Sequence, residues 1–480
     1  MMNVSLPVSD AWQSDRIPYQ GPLSSSLHVD PLRKVVLWSI AAYLVLNVGF
    51  ELLRIPPVGP GVPAGELVLA ACLCVMSMRV LLPLMAQEVW LLPIVMWWGL
   101  SFVRILADAK SGGIWAFRDG SQEIESLYLV VGFWLAGSAT GLPYVFRWLR
   151  RLLVVGGCYG LLYPISNTLQ KFSPKVSGLG TGATPLIFGM TTASQMMLWC
   201  AAWLLLERPR GSKMSRDIVA GLLVATAIAF GQSRSNYLQV LALGGVLLLV
   251  RRKAAAKWGL TLILGGVFIW LISVSGLNLK GREGHKISLD FVARHFESIS
   301  GTGGGGASQE SAAAGVPLRI GWWKHIATEL KSSPEKMAFG LGFGMPLTDF
   351  EGRNAITREP HNSYISVVGR LGVSGLAMWT LMQFALYVSW WRSFSLCRRM
   401  NWTVDQVNLL LILVFAMITL IEAMGEAAME APYYAIPYYF LFGVMLRYSR
   451  HLKLAAKHEQ SLLAQQDEDF DDGILDAEPA

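Results

Sequence analysis

The sequence is poor in charged residues. Of its 480 residues, 15% are Asp, Glu, Lys or Arg and 53% are hydrophobic, and the mean hydropathy is +0.43. Soluble domains carry about a quarter charged residues, so this deficit excludes an ordinary soluble protein of this length. The net charge of +7 does not point to nucleic acid, because the basic residues lie in short segments between apolar runs and report membrane topology.

Cysteine is also scarce. The five cysteines are Cys72, Cys74, Cys158, Cys200 and Cys397. Four lie in apolar runs and one in a basic segment, so neither a disulfide framework nor a CxxC zinc site is expected. The chain has no P-loop, no dinucleotide-binding fingerprint and no metal-ligand spacing such as HExxH. We therefore expect no metal and no cofactor.

Both ends of the chain lack apolar runs. Segment 1–32 has four prolines and no basic region leading into an apolar core, so we predict a disordered cytoplasmic extension and not a signal peptide. The last segment, 451–480, contains the acidic run Asp467 to Asp472. Such runs are typical of solvated, disordered chain, and we predict an acidic cytoplasmic tail.

Long apolar runs fill most of the remaining sequence. A membrane span needs about 20 apolar residues, and the runs predict an all-α polytopic membrane protein with about twelve transmembrane helices. The predicted spans are 35–50, 64–84, 89–106, 124–142, 146–166, 184–206, 217–231, 236–250, 258–277, 364–391, 405–424 and 431–448. The seventh and eighth are short enough to be half-helices.

The distribution of Lys and Arg predicts the orientation. Basic residues cluster in alternate connections, which places both termini in the cytoplasm of a bacterial inner-membrane protein. These clusters contain Arg33, Lys34, Arg147, Arg150, Arg151, Arg208, Arg210, Lys213, Arg216, Arg251, Arg252, Lys253, Lys257, Arg392, Arg398, Arg399, Arg447, Arg450, Lys453 and Lys457. The predicted organisation is nine spans in 33–277, a periplasmic loop in 278–360 and three spans in 361–450.

The predicted periplasmic loop is much the longest connection, and loops of that length are usually functional. Its glycine-rich piece, Gly301 to Gly306, lacks the GK[ST] ending of a phosphate-binding loop, so we interpret it as a flexible linker. The stretch from Pro317 to Lys331 predicts an amphipathic helix, with Trp322 and Trp323 available for the membrane interface.

The end of this loop carries the most specific pattern in the chain. His361-Asn362 is followed after nine residues by Gly372 and after two more by Gly375. Further features are Arg319 before the Trp pair, the glycine-rich turn Gly340 to Gly344, and the pair Ser233-Arg234 between the seventh and eighth spans. Together they resemble the O-antigen ligase and polymerase superfamily, membrane glycosyltransferases that use undecaprenyl-diphosphate-linked glycans.

The resemblance implies roles for individual residues. His361 would be the general base or orient the acceptor hydroxyl, Arg319 and Arg234 would bind the diphosphate, and Asn362 would hold the imidazole or a sugar. Arg358 and Tyr364 would also contact substrate. The glycines Gly342, Gly344, Gly372 and Gly375 would be structural. The implied partners are the lipid-linked glycan donor, a glycan or lipid acceptor, the bilayer and other polysaccharide-assembly proteins.

The residue types suit this chemistry. A diphosphate is a good leaving group whose charge must be held, and guanidinium groups stay charged and grip phosphate oxygens in two-pronged fashion. Histidine titrates near working pH and can accept a proton from the acceptor hydroxyl. Glu422, Glu426 and Glu430 recur every four residues, so we expect them on one helical face, either lining the acceptor path, countering the arginines or simply facing water.

Several functions remain open from the sequence. A ligase moves a finished polymer to an acceptor, whereas a polymerase extends the chain, and both share the same pattern in lipopolysaccharide or exopolysaccharide assembly. A protein O-glycosylating relative is a third possibility. A transporter or flippase is the alternative of another class, but such proteins tend to show repeated halves with broken helices at the midplane, and we find no internal repeat.

Overall fold

The protein is described from a computed structural model. The structure describes residues 29–55, 62–76, 92–137, 141–176, 183–207, 215–231, 233–250, 252–275, 287, 290, 307–348 and 358–475. The predicted linker Gly301 to Gly306 and residues 1–28 of the predicted disordered extension 1–32 lie outside these residues, whereas residues 29–32 are helical and correct that prediction.

Almost all described residues are helical. In the first half the helices are α1 Val29–Leu46, α2 Val48–Glu51, α3 Ala64–Val75, α4 Leu92–Gly112, α5 Ile114–Asp119, α6 Ser121–Glu125, α7 Tyr128–Leu135, α8 Gly141–Gly160, α9 Ser166–Leu169, α10 Ala193–Leu206, α11 Ser215–Gly231 and α12 Arg234–Val250. In the second half they are α13 Arg252–Val274, α14 Ala307–Lys331, α15 Pro334–Phe339, α16 Ser363–Arg399, α17 Thr403–Gly425 and α18 Pro432–Leu475. Short 3₁₀ helices span Tyr163–Ile165, Gln170–Phe172 and Ala428–Glu430.

Two very short antiparallel ladders interrupt the helical pattern. β1 (Arg54–Ile55) pairs with β2 (Val62–Pro63), and β3 (Lys175–Val176) pairs with β4 (Thr184–Pro185). Each strand has two residues, so these ladders close loops and form no sheet layer.

Four helices are long and apolar enough to cross a membrane: α4, α13, α16 and α17. A fifth is reached if α8 and the bent segment Tyr163–Phe172, at 42° to it, form one span. A helix overlaps every predicted span, but α3, α10 and α12 are shorter than a membrane crossing. These apolar helices establish an all-α membrane protein. In the described residues, the helices that are long and apolar enough to cross a membrane number four or five, fewer than the twelve predicted spans.

The core surrounds α10, whose residues are nearly all buried. The Trp199 indole donates to the Leu411 carbonyl at 2.9 Å and packs on Phe415 with 4.5 Å between ring centroids. Elsewhere, α7 and α18 cross so closely that a Cβ at Gly132 or Gly443 would clash with the facing backbone. Small residues allow such close helix approach.

The predicted amphipathic helix in the long loop is confirmed as the second part of α14. Ile326 and Leu330 are buried with Leu347 in a small cluster of their own, whereas Lys324 and Thr328 are exposed. The helix begins earlier than predicted, and Pro317 lies within it.

The prediction of a disordered tail after Lys457 is wrong as far as Leu475, because α18 continues to that residue. The segment from Ala455 to Gln466 is rich in Ala, Leu, Gln, Glu and Lys, which are strong helix formers. The helix therefore carries the acidic run on its last turns.

Candidate functional site

The start of α16 is tied to the end of α17. Asn362 is the N-cap of α16: its side-chain oxygen accepts from the Ile365 backbone N–H at 3.1 Å, and its amide donates to the Met424 carbonyl at 2.9 Å. An N-cap of this type satisfies a helix donor that has no partner within the helix. Asn362 therefore fixes the position of His361 through the backbone, and these side-chain hydrogen bonds are to main-chain groups and not to the imidazole.

Glu426 joins the two main predicted site residues. His361 Nδ1 lies 2.8 Å from Glu426 Oε2, and Arg319 Nη2 lies 3.1 Å from Glu426 Oε1. Arg319 Nη1 also donates to the Gly425 carbonyl at 2.5 Å. One carboxylate thus holds a histidine on one oxygen and an arginine on the other.

The protonation of Glu426 sets the tautomer of His361. Burial raises the pKa of Glu426, but the hydrogen bond from His361 and the charge of Arg319 outweigh it and hold this pKa below its usual value. An ionised carboxylate only accepts hydrogen bonds, so Nδ1 carries the proton and donates to it. In the neutral ring Nε2 is then the basic nitrogen.

The His361 ring is exposed on one side and covered on the other. Its side chain is 36% accessible, and the Trp322 ring stacks near it with 6.1 Å between centroids. The Trp323 indole donates to the Pro360 carbonyl at 3.0 Å. Arg319, Trp322 and Trp323 share one face of α14. The sequence predicted that the two tryptophans lie at the membrane interface, but in the structure both contact the segment around His361.

The backbone at His361 is unusual, with φ of +50°. Non-glycine residues seldom adopt this left-handed region, although His is tolerated there better than most. Residues held in such conformations concentrate at functional sites, where the surrounding structure enforces them. The bonds of Asn362 and Pro360 on either side provide that enforcement.

Glu430 forms a second acidic position beside the site. Its Oε2 accepts from the Ser363 hydroxyl at 2.5 Å, and the same hydroxyl accepts from the Met429 backbone N–H at 3.0 Å. Burial and the nearby charge of Glu359 raise the pKa of Glu430 to about 7, against the lowering effect of the hydrogen bond from Ser363. Glu430 is therefore a carboxyl group that titrates near neutral pH.

The expectation that Glu422, Glu426 and Glu430 share one helical face is wrong. α17 ends at Gly425, Glu426 is extended, and Glu430 lies in a 3₁₀ helix. Glu422 remains inside the bundle, where Gln239 donates to it at 2.7 Å. The end of the helix at Gly425 turns Glu426 toward His361, which a continuous helix would not do.

Arg358 lies beneath the site in a buried ion pair. Its Nε and Nη2 donate to the two oxygens of Asp119, both at 2.7 Å, and its guanidinium lies 4.4 Å from the centre of the Trp115 ring. The side chain is 3% accessible. Such a two-pronged pair is geometrically specific, so Arg358 anchors the segment before His361 and does not reach the surface where we predicted it would contact substrate.

Arg370 extends this buried network. It donates to Glu359 at 2.8 Å and to the Gly342 and Met345 carbonyls, and it lies 3.3 Å from Asp119. Residues 358–370 are thereby tied to the glycine-rich turn.

The glycine-rich turn binds carboxylates of this chain. The N–H of Phe343 donates to Asp108 at 2.8 Å and that of Gly344 to Asp119 at 2.9 Å. Gly342 and Gly344 have φ of +83° and +100°, and a Cβ at Gly344 would lie 2.7 Å from the Gly112 Cα. The geometry agrees with a structural role for both glycines, and these two N–H groups are occupied by acids of this chain.

Gly372 breaks α16. Its φ of +68° and ψ of −164° lie outside the helical region, and a Cβ there would meet the Ala338 carbonyl carbon at 2.5 Å. A Cβ at Gly375 would clash with Leu371 of the same segment. The two glycines were expected to be structural; Gly372 lets α16 bend, and α15 packs against the bend.

The remaining predicted residues lie farther along the helices. The Tyr364 hydroxyl donates to the Leu420 carbonyl at 3.2 Å, and its ring packs edge-on against Trp379, so it faces the bundle. Arg234 begins α12, just over one turn before Gln239, which bonds to Glu422. Arg234 is thus at the same end of the bundle as Glu426.

Three residues central to this arrangement were not predicted as site residues: Glu426, Asp119 and Arg370. Glu426 belongs to a spacing that the sequence does show, but its role depends on where α17 ends. Asp119 and Arg370 lie in or beside apolar segments, and ionisable residues there are rare and usually paired. Their position in or beside apolar segments was the feature of the sequence that could have indicated a buried ion pair.

The arrangement places an imidazole and a guanidinium, both partly accessible, on one carboxylate at one end of the bundle. Among the described residues, no group of three or more His, Cys, Asp or Glu side chains could hold a metal ion, and His285 and His295 lie outside them. The side chains at this site include an imidazole, which can exchange a proton, and a guanidinium, which can bind an anion. A scan against protein-family models and a search of curated proteins found no match to this chain.

Proposed function

We propose that this chain is a glycosyltransferase that moves glycan from an undecaprenyl-diphosphate donor to an acceptor during surface polysaccharide assembly, as an O-antigen ligase does. The proposal includes a bacterial inner-membrane location, about twelve spans with cytoplasmic termini, and a periplasmic site. It goes beyond the all-α membrane fold and depends on the residues around His361.

The bridge through Glu426 is the observation that carries the proposal. The carboxylate accepts from His361 Nδ1 and so leaves Nε2 as the basic nitrogen, as the carboxylate of a catalytic triad does. The same carboxylate holds Arg319 close to the ring. A base and a guanidinium beside each other are the two groups that transfer from a diphosphate donor requires.

The reaction can be written with these groups. The acceptor hydroxyl gives its proton to His361 Nε2 as its oxygen bonds to the anomeric carbon of the donor sugar. The bond between that carbon and the diphosphate oxygen breaks, and undecaprenyl diphosphate leaves with the electron pair. Arg319 holds the leaving charge, because its two observed bonds use two of five guanidinium N–H groups and its side chain is 30% accessible.

The buried network positions these groups. Arg358 lies before His361 in the chain and Arg370 follows it in α16. Both pair with Asp119, so the chain is held on either side of His361. An active site needs its reacting groups held within a fraction of an ångström. We assign Arg358 as a positioning residue.

The test is a gene deletion restored with wild type, His361→Ala or the control His325→Ala. His325 is an exposed histidine on the same helix as Arg319. With equal protein in the membrane, we expect His361→Ala alone to lose surface glycan. Long polymer retained on undecaprenyl diphosphate indicates a ligase, and single repeat units indicate a polymerase.

An assay in vitro separates the glycosyltransferase from the transporter alternative. If the chain is a glycosyltransferase, the purified protein should transfer glycan from the lipid-linked donor without a membrane gradient or a sealed compartment. If His361→Ala restores surface glycan fully, or detergent-purified protein moves lipid-linked glycan only across sealed vesicles, the glycosyltransferase proposal fails.

A further inference from the structure

A basic cavity lies between α16 and α18 at the end of the bundle opposite His361. It has a volume of about 610 Å³ and is lined on α16 by Arg392 and Arg399 and on α18 by Arg450, Lys453 and Lys457. Residues 392 and 399 are seven apart, as are 450 and 457, so each helix turns one cationic face into the cavity. None of the described lining residues is Asp or Glu.

Apolar groups lie beside these cations. Trp391 and Leu454 also line the cavity and are 58% and 44% exposed. Tryptophan is enriched where the hydrocarbon of a bilayer meets its headgroups. Five cations beside an exposed tryptophan and leucine suit a ligand that has an anionic head and an apolar body.

The length of α16 places the cavity at headgroup depth. α16 bends at Gly372, and Arg392 is 20 residues beyond that bend, which is roughly 30 Å along a helix. The hydrocarbon core of a bilayer is about 30 Å thick. The part of α16 after the bend is therefore long enough to cross the hydrocarbon core and bring Arg392 to headgroup depth.

We infer that this cavity binds the phosphate headgroup of an anionic phospholipid, with Arg392, Lys453 and Lys457 on the phosphate and Trp391 against the acyl region. Basic pockets between transmembrane helices recognise such headgroups. The inference goes beyond the proposed glycosyltransferase activity and does not depend on it, because it involves none of the residues around His361.

The test measures lipid retention and thermal unfolding of the purified full chain in nanodiscs. The discs contain phosphatidylcholine alone or phosphatidylcholine with phosphatidylglycerol. The triple variant Arg392→Gln/Lys453→Gln/Lys457→Gln is compared with Arg147→Gln/Arg151→Gln/Lys253→Gln, which loses the same charge from exposed positions outside the cavity.

We expect phosphatidylglycerol to raise the unfolding temperature of the wild type and of the control variant. Its binding should be about a hundred-fold weaker in the cavity variant, since each cation near an anionic lipid contributes close to a factor of five. Equal binding by both triple variants overturns the inference.

One further arm identifies another occupant. If glycerol 3-phosphate in phosphatidylcholine discs stabilises the protein as much as phosphatidylglycerol does, the cavity binds free phosphate and not lipid, and the lipid inference is wrong.

Discussion

Replacing Glu426 with Gln tests the core of the proposed mechanism. The change keeps the shape of the side chain but removes the charge that His361 and Arg319 share. A carboxylate accepts at both oxygens, whereas an amide has one accepting end and one donating end. If the amide nitrogen faces His361, Nδ1 must accept and Nε2 carries the proton, so Nε2 no longer serves as a base. If it faces Arg319, two donors oppose each other.

The expected loss of transfer rate in Glu426→Gln follows from the strength of the hydrogen bonds that are lost. A hydrogen bond to a charged group contributes about 1.5–3 kcal/mol, and about 1.4 kcal/mol of transition-state stabilisation changes the rate tenfold. Losing the carboxylate bond to the imidazolium therefore slows transfer by about ten- to a hundred-fold. The assay is release of undecaprenyl diphosphate from a lipid-linked donor by purified Glu426→Gln, with thermal unfolding recorded alongside.

The matched control is Glu329→Gln. The Glu329 side chain is as accessible as that of Glu426, at 36%, but it pairs with Lys336 at 3.1 Å and not with a residue of the site, and such surface pairs contribute little. We expect wild-type rates from this variant. A folded Glu426→Gln protein that transfers glycan at the wild-type rate refutes the assignment of Nε2 as the base.

Three further predictions concern stability and pH. The pKa of Glu430 is raised to about 7 in the folded protein. Its contribution to stability is therefore fully present below its usual pKa near 4.5 and is lost as the pH rises through 7. In thermal unfolding between pH 5 and 8, Glu430→Gln should show a smaller fall in unfolding temperature with pH than the wild type. Asp119→Ala leaves Arg358 buried without its carboxylate and should destabilise the protein by about 3–5 kcal/mol in denaturant titrations. Gly372→Ala places a side chain at φ +68° against Ala338 and should cost at least about 1–2 kcal/mol, lowering the unfolding temperature.

Each of these has a control and a contrary outcome. An identical pH dependence in wild type and Glu430→Gln would show that another group titrates. Unchanged unfolding of Asp119→Ala would mean that water reaches Arg358. Gly259→Ala is the control for Gly372→Ala because its Cβ would meet no atom within 4 Å, and equal unfolding temperatures would contradict the proposed strain.

Glu426 is also predicted to stay ionised at working pH. Its pKa is held below the usual value, so the stabilisation it gives is complete above about pH 4.5 and is lost only as the pH falls through that lower pKa. A pH–rate profile should therefore show no loss of activity from Glu426 between pH 6 and 9. A loss in that range that disappears in Glu426→Gln would contradict the assigned ionisation.

The sequence predicted the helices well and the site in part. Apolar runs located a helix at every predicted span because burial in lipid demands long apolar stretches. The motif identified His361 as a candidate site residue. In the structure Arg319, 42 residues earlier in the chain, bonds to Glu426, the same carboxylate that His361 contacts. Neither periodicity nor composition contains the distances between helices, so the partners of these residues had to come from the fold.

The errors have identifiable causes. Glu422, Glu426 and Glu430 were placed on one face because the spacing of a helix was carried past the point where α17 ends. The tail was predicted as disordered from its acidic residues, although its Ala- and Gln-rich segment favours a helix. Arg358 was expected to contact substrate because its buried partner, Asp119, is 239 positions away and the sequence does not show the pairing.

That separation has a consequence for synthesis in the cell. Asp119 enters its apolar surroundings with α5, yet Arg358 is translated 239 residues later, which takes roughly 10–50 s at ordinary elongation rates. The glycine-rich turn, which also binds Asp119 through the Gly344 N–H, is made only shortly before Arg358. A nascent chain therefore holds an unmatched acid until most of its length has left the ribosome, and any chain that stops before residue 358 keeps it permanently.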